Sequence, residues 1–305
     1  MEENRLLVLS GPTAAGKTAL ALRLARALPL EIVNADSLQV YRGMDVGTAK
    51  PTPEERREVP HHLIDVADPD EEYNAGRFVD EAEKAIRGIR ERGRFPLVAG
   101  GTGMYIRALL RGLDPLPKDP GVRAGLSRRW EREGGSALYA ELACIDPLSA
   151  KSIHPADRVR VLRALEVAAI TGAPPSARKA RWTEHGGKFR TLFIVLSADR
   201  EELYRRIDAR VEAMFRKGLV DEVRGLLSRG YGSDLKPMGA LGYRHVCSHL
   251  TGGVSIARAV EETKRDTRRY AKRQLTWLSR EPGTVWVRGK EAREAAEEFA
   301  KKFLF

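Results

Sequence analysis

Arg5-Leu6-Leu7-Val8-Leu9-Ser10 runs directly into Gly11-Pro12-Thr13-Ala14-Ala15-Gly16-Lys17-Thr18. From Lys17 to Leu28 apolar residues then recur at helical spacing until Pro29. A short apolar run that closes in a glycine turn is a buried parallel strand followed by a loop. Gly11–Thr18 satisfies G-x-x-x-x-G-K-[ST] at every fixed position, in the strand–loop–helix setting that gives the pattern its meaning. Its glycines let the backbone wrap around phosphate oxygens, and its N–H groups with the helix N-terminus make a positive cradle. Lys17 adds a mobile charge at the terminal phosphate, and the Thr18 hydroxyl is placed to ligate Mg²⁺. A di- or triphosphate site follows. The loop leaves open which phosphate compound it holds, and whether phosphate is transferred, hydrolysed or expelled.

Working outward, Glu31–Asn34 reads as a second strand leading to Asp36. Phe95–Ala99 is another, followed by Gly100-Gly101-Thr102-Gly103 and an apolar helix through Leu110. Leu192–Leu196 and Thr284–Val287 complete the set. Strands alternating with helices predict an α/β fold: a P-loop NTPase-like core with an open, mostly parallel sheet. Between Leu113 and Arg190 the texture changes. Pro115, Pro117 and Pro120 make a stiff entry, and helical segments follow around Val122–Glu133, Ala137–Ala143 and Pro155–Ile170. The exit, Gly172–Gly187, is rich in Pro, Gly and basic residues. This predicts an inserted helical domain over 119–189, with the core built from 1–118 and 190–305. The last third reads as helices over Asp199–Lys217, Leu219–Arg229, Tyr243–Leu250 and Val254–Arg280.

The 305 residues are 42% apolar, ordinary for a protein with a sizeable core. No apolar run approaches the roughly 18–20 residues of a membrane span, and Met1-Glu2-Glu3-Asn4 shows no signal-peptide pattern. A soluble cytoplasmic protein is expected. Cys144 and Cys247 match no zinc or redox spacing and are expected as reduced core residues. The net charge of +11, with a pI of about 9.8, favours a polyanionic partner, because phosphates collect where basic side chains cluster. A compositional preference for Arg would give the same total, so where the charge sits must decide.

Asp36 stands at the carboxyl edge of the sheet, the edge that carries the phosphate loop. A carboxylate there can hold Mg²⁺ through water or act as general base on an incoming nucleophile. An Asp-Ser pair can equally cap a helix. The Thr102 hydroxyl is expected to point into the same crevice, an ordinary glycine turn being the alternative. The strand before Thr102 ends without an acid, so a conventional Walker B carboxylate is not apparent; Asp65 is a weaker candidate. This counts against a hydrolytic motor.

The run Asn34-Ala35-Asp36-Ser37-Leu38-Gln39-Val40-Tyr41-Arg42-Gly43-Met44-Asp45-Val46-Gly47-Thr48-Ala49-Lys50-Pro51 closely resembles the long signature of bacterial tRNA dimethylallyltransferases. So do the phosphate loop, His61-His62-Leu63-Ile64-Asp65 and Gly100-Gly101-Thr102-Gly103-Met104-Tyr105. Downstream, His154-Pro155-Ala156-Asp157, Arg163-Ala164-Leu165-Glu166-Val167, Gly242-Tyr243-Arg244 and Lys272-Arg273-Gln274-Leu275-Thr276-Trp277 fit the same family. The resemblance covers nearly the whole chain, leaving Pro174–Arg190. It implies transfer of a dimethylallyl group from dimethylallyl diphosphate to the exocyclic amine of the adenosine 3′-adjacent to the anticodon, with Mg²⁺ as cofactor and the anticodon stem-loop as partner. A monomer is expected, since one tRNA fits one crevice.

By the resemblance, Asp36 orients the amine and takes its proton. Lys17, the loop of Gly11, Pro12, Thr13, Ala14, Ala15, Gly16 and Thr18 through the backbone N–H groups that all but Pro12 carry, and Mg²⁺ near Thr18 would stabilise charge gathering on the leaving diphosphate. Thr13 and Thr102 would be further donors, and Arg210 matches a family arginine near the diphosphate. Asp36, Ser37, Leu38 and Gln39 would meet an adenosine extracted from its stack, with Gln39 at the base edge. Further tRNA contacts fall to Thr102, Arg123, Arg160, Arg163, Arg244, Lys272 and Arg273. Lys264, Arg265, Arg268, Arg269, Lys272 and Arg273 load one helix and predict a basic stripe suited to a phosphate backbone. An adenylate isopentenyltransferase acting on free nucleotides shares the loop and the early aspartate. A P-loop small-molecule kinase would turn Asp36 on a hydroxyl, and a nucleotide-switched RNA-binding protein would do no transfer chemistry. The sequence lacks the C-terminal zinc-finger cysteines of eukaryotic relatives, which favours the bacterial form. The insert and the basic helix fit a tRNA substrate better than a free nucleotide.

Overall fold

The computed structural model describes residues 4–113, 116–177, 188–289 and 291–305. Six strands, β1 (Arg5–Ser10), β2 (Leu30–Asn34), β3 (His61–His62), β4 (Phe95–Ala99), β5 (Arg190–Ser197) and β6 (Thr284–Arg288), form one sheet in the order β3-β2-β4-β1-β5-β6. Every neighbouring pair is parallel. β1 is buried from Leu6 to Ser10 and pairs on both edges, Leu7 opposite Leu97 and Leu192. A strand enclosed in this way needs an unbroken apolar run, which is what Leu6–Leu9 supplies.

Flanking helices before the insert are α1 (Lys17–Ala27), α2 (Pro53–Glu58), α3 (Ala75–Glu91) and α4 (Gly103–Arg111). The insert holds α5 (Pro120–Glu133), α6 (Gly135–Ile145), α7 (Pro147–Ser152) and α8 (Arg158–Thr171). After it come α9 (Arg200–Arg216), α10 (Leu219–Ser228), α11 (Tyr243–Leu250), α12 (Ile256–Leu278) and α13 (Ala292–Leu304). Successive strand side chains point to opposite faces, so β1 feeds two cores. Leu7 and Leu9 pack with Leu20, Leu24 and Ala296 of α1 and α13. Leu6 and Val8 pack with Phe78, Ile86 and Tyr105 of α3 and α4, and this core extends to Val223 and Val246 of α10 and α11. A separate cluster of Leu203, Ile207, Val211 and Ala271 joins α9 to α12.

Helix α3 and strand β3 are not among the elements expected from sequence. The Asn74 side chain caps α3 by accepting from the Gly76 and Arg77 amides, and Phe78, Ala82, Ile86 and Ile89 recur at helical spacing on its buried side. That period is present in the sequence. β3 has two residues, too few to show any period.

The chain divides into two compact units, Met1–Leu110 with Lys188–Phe305, and Arg111–Gly187. The entry therefore falls before the expected residue 119. Arg163 of α8 donates to the Leu116 and Pro117 carbonyls at 3.1 and 3.0 Å, which draws the proline-rich entry into the second unit. That unit packs around Leu126, Leu138, Leu142, Val161, Leu162 and Leu165. Pro115 and residues 178–187 of the predicted exit lie outside the described residues. Cys247 is buried as expected, whereas Cys144 is exposed, because Leu142 takes the inward position at that end of α6. Among the described residues no helix is long and apolar enough to cross a membrane.

The stacked Phe78 and Tyr105 rings, 4.5 Å between centroids and 15° apart, tie α3 to α4. Phe78→Ala is expected to cost about 3–5 kcal/mol, as for large-to-alanine core changes elsewhere. Urea unfolding checks this, and a loss under about 1 kcal/mol would mean the site is not close-packed.

Candidate active site

The loops after β1, β4 and β2 lie side by side, since neighbouring strands stand roughly 4.8 Å apart. The β4 turn is the middle one, so a side chain at its tip would block the view from the phosphate loop to Asp36. At Gly101 that space is taken up by the Gln274 side chain, with Lys17 beside it. A Cβ there would stand 2.5 Å from the Gln274 amide nitrogen. The cavity at this edge has a volume of about 520 Å³, and its lining includes Thr13, Lys17, Thr18, Asp36, Gln39 and Arg210.

Lys17 Nζ donates to the Gly11 and Pro12 carbonyl oxygens, each at 2.9 Å. Burial, reinforced by the nearby Arg210 charge and opposed by Asp36, lowers its pKa to about 8. Burial also pulls the Arg210 guanidinium below its ordinary value, while Asp36 partly restores it. Arg210 donates to the Thr48 carbonyl at 3.3 Å. The Gln39 amide donates to the Thr48 and Ala49 carbonyls at 3.2 and 3.3 Å. Lys17, Arg210 and Asp36 thus share a half-buried crevice whose lining also includes Lys50, Glu55 and Arg206, and mutual charge energies there exceed those in bulk water.

Asp36 both caps and faces the crevice. Its Oδ1 accepts from the Leu38 amide at 2.9 Å and, more weakly, from Gln39 at 3.4 Å. Those bonds use one carboxylate oxygen and fix the side chain's direction. Thr102, expected as a crevice donor, does something else. Its hydroxyl oxygen accepts from the Ser37 amide at 3.0 Å and its proton goes to Ser37 Oγ at 3.3 Å. Thr102 therefore braces the turn that carries Asp36.

Gln274 is a site residue that sequence reasoning misses. It is buried, its Oε1 accepts from the Thr13 amide at 2.8 Å, and its Nε2 donates to the Gly101 carbonyl at 3.0 Å. One side chain of α12 thereby joins the phosphate loop to the β4 turn. The only signal is a lone amide following Lys272-Arg273. Tyr270, one turn earlier, also lines the cavity, and burial together with the Asp36 charge pushes its pKa up to about 12.

Several expected residues are engaged elsewhere. Asp65, the weaker carboxylate candidate, accepts from Lys50 at 2.5 Å and from Arg56 at 2.6 Å. Arg123 and Arg163 converge on the buried Glu166 at 3.0 and 2.9 Å, so their guanidinium groups hold the insert together. Arg160 is exposed, with Asp157 at 3.2 Å. Arg244 pairs with Asp266 at 2.5 Å, and Arg265 and Arg269 lean on the same carboxylate at 3.1 and 3.4 Å. Lys264 is held by Glu212 and Glu261, and Arg268 by Asp208. Of the predicted six-residue stripe, Lys264 and Arg268 are tied down, whereas Arg265, Arg269, Lys272 and Arg273 are exposed, the last 5.7 Å over the Tyr270 ring.

Among the described residues no group of three or more His, Cys, Asp or Glu gathers that could hold a metal ion. Mg²⁺ commonly takes one or two protein oxygens and fills its remaining positions with phosphate oxygens and water. The exposed Thr18 hydroxyl in the cavity lining fits that habit.

A Walker loop facing a carboxylate across a glycine turn, on an all-parallel sheet, defines a P-loop protein built to act on a phosphate compound. The chain belongs to the IPP transferase family: that model matches residues 39–281, and the isopentenyl transferase model matches residues 4–66. It is 49% identical over 287 residues to the tRNA dimethylallyltransferase of Geobacter metallireducens, covering 94% of this chain and 93% of that one. Among solved structures it is similar to the full-length tRNA isopentenylpyrophosphate transferase of Bacillus halodurans, with 38% identity, TM-score 0.73, and 99% and 97% of the two chains covered. It is also similar to a eukaryotic dimethylallyltransferase acting on tRNA, with 29% identity, TM-score 0.84, and 99% and 79% covered.

The lowered Lys17 pKa makes a signed prediction. A bound diphosphate favours the charged amine, so the complex holds its proton to higher pH than the free protein. Affinity for an unreactive thiolodiphosphate analogue should be full below about pH 8 and fall by up to about tenfold per unit above it. Calorimetry from about pH 7 to about pH 9 measures this; affinity flat across that range would contradict it.

Proposed function

We propose that this protein moves a dimethylallyl group from dimethylallyl diphosphate to the exocyclic amine of the adenosine 3′-adjacent to the anticodon of tRNA, acting as a monomer. The observation that carries this reading is that Lys17, Arg210 and Asp36 share one cavity in a chain of this family. Two cations suit a departing diphosphate, and one carboxylate suits an amine proton. As the allylic C–O bond breaks, its electron pair leaves with the diphosphate, where Lys17, Arg210 and the loop amides stabilise it. The amine lone pair forms the new C–N bond, and the amine proton passes to Asp36. Mg²⁺, held near Thr18 when bound, would add positive charge at the diphosphate oxygens.

An adenine amine inside a stack cannot reach this crevice, so the adenosine must be flipped out. Gln39 is positioned to meet its edge. Exposed cations offered to the tRNA backbone include Arg269, Lys272 and Arg273 on the core and, on the insert by itself, Arg160.

Incubation with dimethylallyl diphosphate, Mg²⁺ and unmodified tRNA, followed by digestion and mass spectrometry, should yield prenylated adenosine. Product on AMP alone, or phosphate transfer from ATP, would overturn the reading. Asp36→Asn keeps the Oδ1 acceptor of the turn but removes the base. It should lower kcat by at least about 100-fold, with tRNA affinity within a few-fold. Replacing Lys272 and Arg273 with Ala should weaken tRNA binding and flatten its log–log salt slope by about 0.7–0.9 for each phosphate no longer neutralised. An unchanged slope would place the tRNA elsewhere.

A further inference from the structure

Three consecutive backbone amides, those of Asp45, Val46 and Gly47, converge on one side chain. Glu222, in the first turn of α10, accepts them at 2.8, 2.6 and 3.0 Å. Its Oε1 also accepts from the Tyr243 hydroxyl at 2.7 Å, and the Tyr243 ring is fully buried. Gly47 has no side chain because none fits: a Cβ would lie 2.5 Å from that ring. The segment is pinned from its other side by Lys50, whose side chain is 3% exposed and donates to the Tyr41 carbonyl and Asp45, each at 2.6 Å. Immediately after the clamped amides come the Thr48 and Ala49 carbonyls. These are the acceptors that hold Gln39 and Arg210.

We infer that Glu222 and Tyr243 are positioning residues. They lock the 45–47 backbone so that the next two carbonyls hold Gln39 and Arg210 toward Asp36. Neither Glu222 nor Tyr243 is among the residues that line the cavity. This inference rests on the roles given above to Gln39 and Arg210. The carboxylate suits the task because each oxygen accepts two donors. In Glu222→Gln one oxygen becomes an NH₂, which in place of Oε2 faces the Asp45 and Val46 amides and in place of Oε1 still leaves the Gly47 amide without its acceptor, even if the Tyr243 hydroxyl turns to accept.

The test is a double-mutant cycle joined to hydrogen exchange. Folded Glu222→Gln should lower kcat/KM by roughly 10- to 100-fold and accelerate amide exchange at residues 45–47. In a Gln39→Ala/Arg210→Ala background the further loss in kcat/KM should be under about threefold, because the groups acted upon are gone. A full multiplicative loss in that background, or wild-type kcat/KM in the single variant, would overturn the inference. Tyr243→Phe removes one donor and keeps three; should Glu222→Gln fail to fold, it serves in the same cycle. Its smaller loss must likewise vanish in that background, and a loss that persists overturns the proposal. Wild-type activity of both Gln39→Ala and Arg210→Ala would instead strike the catalytic reading. The exchange rates would then still report whether the clamp holds the segment.

Discussion

Strand β1 carries hydrogen bonds on both edges and apolar side chains on both faces, and that double enclosure sets the frame for the active site. A one-residue slip of the strand would exchange Leu6 and Val8 with Leu7 and Leu9 between two cores packed to fit them. Its register against β4 and β5 is therefore fixed, and with it the height at which Gly11 leaves the sheet. The phosphate loop inherits its height from a buried strand, and the bond from the Thr13 amide to Gln274 holds it against the β4 turn. β4 and β2 end at the same edge, which puts the glycine turn and Asp36 within reach of one bound molecule.

Charge is arranged as well as abundant. The sequence carries 53 Lys and Arg against 42 Asp and Glu, yet most cations expected on the tRNA side are paired within the protein. Exposed pairs contribute little to stability. Their effect here is selective, since each pair removes a cation from competition for phosphate. Within the crevice the arrangement reverses. Lys17, Lys50, Arg206 and Arg210 line it against Asp36 and Glu55, leaving an excess of positive charge where a diphosphate is to depart.

The phosphate loop is legible in the sequence because its residues are contiguous and its pattern is local. Asp36 is legible because strand ends can be located from apolar runs. Gln274 and Glu222 are not, because each acts across more than 170 residues of sequence on backbone groups that carry no side-chain signature. The family resemblance points Arg123 and Arg163 at the tRNA, but nothing in a one-dimensional charge pattern reveals that Glu166 is buried between them. Thr102 sits between these cases: its location at the sheet edge follows from the strand pattern, and its hydroxyl partner depends on the exact turn at Ser37. Helix α3 is written plainly in Phe78, Ala82, Ile86 and Ile89, a core period that carries no chemical motif to draw attention to it.

Helix α12 presents Tyr270 and Gln274 to the crevice, packs Trp277 beside Gly103, and exposes Lys272, Arg273 and Thr276 on its other side. Each residue along an α-helix turns the chain by about 100°. Adding one residue upstream of Tyr270 would carry the glutamine out of the cavity and put Arg273 in its place, and removing one would put Leu275 there. Chain length in this helix is thus constrained far more tightly than composition. Its outward positions accept many side chains, whereas no single-residue insertion or deletion leaves both faces correctly addressed.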